Sequence, residues 1–217
     1  MPNLLNIEDI NDVAKTRALE ASDVNALRAV GDWIKSFVAR PHPDLGRAGP
    51  VCPFVPGSLE RKTLWLAPER AANGSGSDIV QLVGAYRKLF RVAPPISGED
   101  TIYKSIVIVF SDLAGDRAGD LFPFVLQHQA IPAYEEDGLV IGGFFDRNKG
   151  SAIHNADFHP FRSPAPFLLM RQAALSDWKF FLDQSDWFDR WARRFEGAAV
   201  QALAEALRRQ PWRDKRE

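Results

Sequence analysis

Six residues near the middle of the chain, Ser105-Ile-Val-Ile-Val-Phe110, constrain the fold more than any other stretch. They are mostly β-branched and carry no charge, so they suit a pleated surface and offer water nothing on either side. Such a run reads as a central strand covered on both faces. A sheet with helices packed against it follows, because each face of a buried strand needs an apolar partner.

The neighbouring segments supply those partners. Val24, Leu27, Val30, Ile34 and Phe37 recur at helical spacing behind Ser22 and Asp23, either of which can cap a helix. Pro41 ends that helix. Thr63–Ala67 reads as a strand. Asn73–Asp78 is a turn and cap, and Ile79, Leu82, Val83, Tyr86, Leu89 and Phe90 form the clearest amphipathic helix. Asp116 or Asp120 opens another helix through Phe124 and His128, which requires Pro123 in its first turn. Leu139–Phe145 and Phe167–Met170 read as strands. Ser176-Asp177 caps a helix holding Trp178, Phe181 and Leu182. Trp187, Trp191 and Phe195 continue a helical face, and Val200, Leu203 and Leu207 give the last amphipathic helix. The expected fold is α+β: a single domain over residues 1–217, with a mixed or mostly antiparallel sheet of about four to six strands flanked by helices. Residues 1–20 are expected as a flexible lead-in and 210–217 as a frayed tail.

The formal net charge of -1 gives no support to nucleic-acid binding. The start of the chain lacks a basic segment followed by an apolar run, so it is not read as a secretory signal. No stretch reaches the ~20 apolar residues of a membrane span. The lone cysteine, Cys52, excludes an internal disulfide and fits a reducing cytoplasm. Six tryptophans and 15 phenylalanines suit either a large core or a cavity for a flat apolar ligand.

Two long irregular stretches hold three of the four histidines and the cysteine: Pro41–Pro56 and Asp146–Pro166. Five prolines exclude helix from the first, yet Val51, Phe54 and Val55 want burial. Such a loop either wraps a core edge or lines a site. In the second, His154, Asp157 and His159 offer two imidazoles and a carboxylate within six positions, a composition compatible with non-haem iron. The plain alternative is solvent-facing loop histidines. Both loops place proline beside histidine (His42-Pro43, His159-Pro160), and that stiffness would fix a ring nitrogen for an axial metal bond. Cys52 is the competing ligand, or simply a small buried hydrophobe. Arg47, Arg147 and Arg162 are candidates for anchoring a substrate carboxylate or a haem propionate. No G-x-S-x-G elbow and no P-loop occurs.

The run His42-Pro-Asp-Leu-Gly-Arg-Ala-Gly-Pro-Val-Cys-Pro-Phe54, together with Asn155-Ala-Asp-Phe-His-Pro-Phe-Arg-Ser-Pro-Ala-Pro166, resembles a bacterial domain-of-unknown-function family, common in actinobacteria, with an HPxLGRxGxVCPF signature. The resemblance covers the chain from the first helix to Asp183. That family resembles, more distantly, the YqcI/YcgG group, some members of which are haem proteins that N-hydroxylate amino acids. Val51-Cys-Pro-Phe54 matches the group's Cys-Pro-Phe element. Phe145 and Asp146 stand where the group carries His-Pro, so an axial ligand would fall to His159, His154 or His42. The resemblance implies a haem-dependent oxygenase acting on a small amino-acid-like substrate in secondary metabolism. The alternatives are a non-haem iron enzyme and a cofactor-free small-molecule-binding or accessory protein.

Overall fold

The computed structural model describes residues 4–209. The Ser105–Phe110 run is one of five strands, and all six of its residues are buried. In chain order the strands are β1 (Leu5–Asn6), β2 (Leu64–Glu69), β3 (Ser105–Phe110), β4 (Leu139–Phe144) and β5 (Phe167–Gln172). The helices are α1 (Val13–Thr16), α2 (Ala21–Trp33), α3 (Val55–Glu60), α4 (Gly76–Val92), α5 (Gly115–Pro132) and α6 (Ser185–Arg208). The fold is α+β, as expected.

The sheet is mixed, in the order β1-β2-β3-β5-β4. β2 and β3 are parallel, while β1, β5 and β4 pair antiparallel with β2, β3 and β5 respectively. Because β5 runs against both β3 and β4, those two point the same way. The period-2 alternation of β3 splits its side chains between two cores. Ile106, Ile108 and Phe110 meet Ile79, Val83, Tyr86 and Phe90 of α4 and Phe122 and Val125 of α5. Val107 and Val109 meet Leu27 and Val30 of α2 on the other face. Each such side chain contributes about 1.5–3 kcal/mol on leaving water.

Several expectations are corrected. The lead-in is part of the sheet: Leu5 pairs with Leu66, and Leu5, Ile7 and Ile10 are buried. α2 starts earlier than expected, with Glu20 at its N-cap; Asp23 sits one turn in and accepts from the Glu20 N–H at 3.3 Å. It continues as a π turn over Ile34–Val38. Pro123 lies inside α5 rather than in its first turn. The tail of residues 210–217 lies outside the described residues.

Among the described residues, those up to Gln172 and those from Ala173 onward form two compact units. In the second, a 3-10 turn at Leu175–Phe180 replaces the expected helix around Trp178. The fully buried Trp191 of α6 donates its indole N–H to the Leu175 carbonyl at 3.0 Å. α6 breaks at Glu196, whose φ is 44°, between its aromatic and aliphatic halves.

Candidate functional site

The parallel strands β2, β3 and β4 end at Glu69, Phe110 and Phe144, and β5 begins beside them at Phe167. Loops 70–75, 111–114 and 145–166 therefore gather at one edge of the sheet. Ligands of open α/β sheets settle outside the carboxyl ends of the strands, where successive connections diverge. Here the insertion of β5 between β3 and β4 holds those two ends apart.

A crevice of about 260 Å³ opens there. Its walls come from Phe110 and Ser111 at the end of β3, Gly115 at the start of α5, Asp146 after β4, and Ser163–Pro166 leading into β5. Gly115 leaves room for that carboxylate: a Cβ at this position would lie 1.8 Å from the Asp146 Oδ1 and would push the side chain aside. The Asp146 carboxylate thus rests on the first turn of α5, whose N-cap, Ala114, offers no side-chain acceptor. A negative charge is favoured at that position by the helix dipole. Among the described residues Asp146 has no ion-pair partner; the neighbouring Arg147 pairs with Asp116 at 2.6 Å.

Behind the crevice lies a polar cluster. The nearly buried Asp23 accepts from the Ser111 hydroxyl and from Arg70 at 3.3 Å. Arg70 also pairs with Glu20 at 2.6 Å, which raises its already high pKa. Asp112 Oδ1 accepts from the N–H groups of Ala71 and Ala72 at 2.7 and 3.2 Å and so pins the loop after β2. The buried Tyr86 donates to Glu69 at 2.6 Å; burial first, then Glu69, pushes its phenol pKa well above the ordinary value. Ser163 is buried and donates to the Ala165 carbonyl at 2.8 Å.

The two proline-stiffened loops do meet. Asn155 donates to the Asp44 carbonyl at 2.8 Å, and a Cβ on Gly46, at φ +74°, would lie 2.8 Å from the Cβ of His154. The His42 ring stacks on Phe158 at 4.6 Å, and Phe37, on the π turn, packs against both. The Cys52 N–H bonds the Val38 carbonyl, and Cys52 is half-buried.

The sequence of one family matches residues 27–206. The chain belongs to the family described as a domain of unknown function, DUF6875. No curated protein and no solved structure matches it significantly. The match takes in both loops of this DUF6875 chain but carries no activity with it, so the chemistry has to come from geometry.

The expected ligands of the DUF6875 chain do not come together as one multi-ligand metal site. Among the described residues, no three His, Cys, Asp or Glu side chains are grouped to hold a metal ion, which includes His154, Asp157 and His159. His154 and Asp157 are exposed. His42 Nδ1 accepts from the Asp44 N–H at 3.2 Å, so the ring proton sits on Nε2, the wrong tautomer for ligation there. His159 is the exception: its Nδ1 lies 3.1 Å from the Gly150 carbonyl, which leaves a lone pair on Nε2. His159 lines neither this crevice nor the cavity at the opposite edge of the sheet. The three arginines are engaged elsewhere: Arg47 with the Ala48 and Val51 carbonyls, Arg162 with the Asn148 carbonyl, and Arg147 with Asp116. Of the residues that line or back the crevice, the sequence singled out Asp146, as a departure from the distant group's His-Pro element, and Asp23, as a helix cap, but neither as a ligand-binding acid. Ser111 was discoverable, because it directly follows the buried strand at its carboxyl end.

Proposed function

We propose that this chain is a cofactor-free small-molecule-binding domain whose ligand sits in the crevice between the carboxyl ends of β3 and β4. The observation that carries this is the unpaired Asp146 carboxylate, held against Gly115 and lining the hollow. The ligand class is a small molecule of amino-acid size with an ammonium or other donor-rich end. A volume of about 260 Å³ is below that of sites for drug-sized ligands and suits such a molecule.

The test is a thermal-shift and calorimetric titration with free amino acids and the amines made from them by decarboxylation. At least one amine-bearing probe binds saturably, and Asp146→Asn weakens it tenfold or more. Failure of every amine probe, or unchanged binding by Asp146→Asn, refutes the reading.

The haem-oxygenase reading keeps two supports here, the meeting of the two loops and the tautomer of His159. An absorption spectrum of protein produced with haem supply separates the two. A Soret band lost in His159→Ala would replace the binding reading with the oxygenase one.

A further inference from the structure

Lys104 precedes β3 at the edge of the sheet opposite the crevice, and it is only 3% exposed. Its Nζ donates to the Phe90 and Ala93 carbonyls at 2.8 and 2.9 Å, at the end of α4, and lies 4.5 Å from the centre of the Phe90 ring. These contacts satisfy two of three ammonium hydrogens. Among the described residues no carboxylate pairs with it and no third acceptor is within reach. A buried ammonium compensated only by neutral dipoles is costly.

The same residue lines a cavity of about 400 Å³. Phe90, Ile96 and Leu139 give it apolar wall. Ser97 offers a hydroxyl with no partner among the described residues. Asp137, also in the wall, is already neutralised by Arg87 at 2.6 Å and by Arg91. The wall therefore carries two cations, Arg91 and Lys104, against one carboxylate. We infer that this cavity binds a small carboxylate with an apolar body, its anionic end on Lys104 and Ser97 and its body against Phe90, Ile96 and Leu139. This site is independent of the crevice, lies at the other edge of the sheet, and takes the opposite charge.

The competing account is that Lys104 only caps the C-terminus of α4, where a cation is favoured. Phenylacetate and its neutral counterpart phenylacetamide separate the two by calorimetry. The expected result is saturable phenylacetate binding, at least tenfold tighter than phenylacetamide, that Lys104→Met abolishes and that the amine probes of the crevice do not displace. Equal binding of acid and amide, unchanged binding by Lys104→Met, or no binding up to about 10 mM phenylacetate, a concentration above the weak millimolar range of small ligands, overturns it. If Lys104→Met does not fold, the wild-type protein decides. Burial lowers the Lys104 pKa below 10.5. Phenylacetate affinity must then fall at least tenfold as pH rises through that lowered value while phenylacetamide affinity stays flat; a flat acid curve refutes the site.

Discussion

Replacing Asp23 with alanine tests the polar cluster behind the crevice. Asp23 lies near the start of α2 and reaches Ser111, 88 positions later, at the end of β3. Three donors converge on its carboxylate: the Ser111 hydroxyl, the Glu20 N–H at 3.3 Å and Arg70 at 3.3 Å. Loss of the helix-start bond costs about 1 kcal/mol. Loss of the hydrogen bond from Ser111 to a charged acceptor costs about 1.5–3 kcal/mol. Arg70 adds little, because its side chain is 43% exposed and keeps Glu20. The sum is about 2–4 kcal/mol. In a chain of this size that lowers Tm by roughly 5–15 °C. Urea and thermal unfolding followed by circular dichroism measure it. A double-mutant cycle with Ser111→Ala isolates the shared bond, with an expected coupling of about 1 kcal/mol or more. A Tm drop under about 2 °C, or a cycle additive within ~0.3 kcal/mol, refutes the reasoning that this bond ties α2 to the end of β3.

Gly115→Ala places a methyl group where Asp146 Oδ1 now rests. Alanine is the better helix former by about 1 kcal/mol, so Tm stays level or rises slightly while binding of the amine probe drops tenfold or more. Retained binding by titration calorimetry would show that the position of Asp146 is immaterial. Tyr86→Phe removes a phenol whose folded pKa is raised above the ordinary tyrosine value of 10.0. The folded state keeps that proton after the unfolded chain has lost it, so the contribution of Tyr86 is whole below pH 10.0 and declines as pH climbs beyond it. Wild-type protein should lose stability more steeply than Tyr86→Phe above pH 10.0, and parallel urea-midpoint curves would contradict this.

What the sequence made legible was local. The buried strand at Ser105–Phe110, the amphipathic α4 and the strands around it follow from period and composition, and the structure has them. The first proline-rich loop also advertised apolar residues in want of burial; Val51, Phe54 and Val55 end half-buried, while His42 stacks on Phe158 where the two loops meet. What stayed hidden was order in space. Nothing local tells that β5 inserts between β3 and β4, since the strands adjacent in sequence here are not all adjacent in the sheet. The crevice depends on that insertion. The Asp23–Ser111 bond and the Lys104 contacts link residues distant in sequence, and both side chains look like ordinary polar flanks in one dimension. Leu5, Ile7 and Ile10 escaped because a two-residue strand is too short to show alternation.

The donor–acceptor balance of the crevice sharpens the choice of ligand. Pro164 and Pro166 contribute no N–H. The N–H of Phe110 is spent on the Pro166 carbonyl, and that of Ser111 on the Glu69 carbonyl. The Ser111 hydroxyl goes to Asp23 and the Ser163 hydroxyl to Ala165. These donors are thus committed within the protein, while Asp146 keeps open acceptor capacity. Asp146 is exposed and its carboxylate is hydrated, so what a ligand gains there is the pairing of its own positive, donor-bearing end with that charge. At the opposite edge the balance reverses, because Lys104 retains a donor and lacks a counter-charge. One sheet thereby presents an acceptor-rich hollow at the carboxyl ends of β3 and β4 and a donor-bearing one at their amino ends. Swapping the two probe classes between the two sites should therefore fail in both directions.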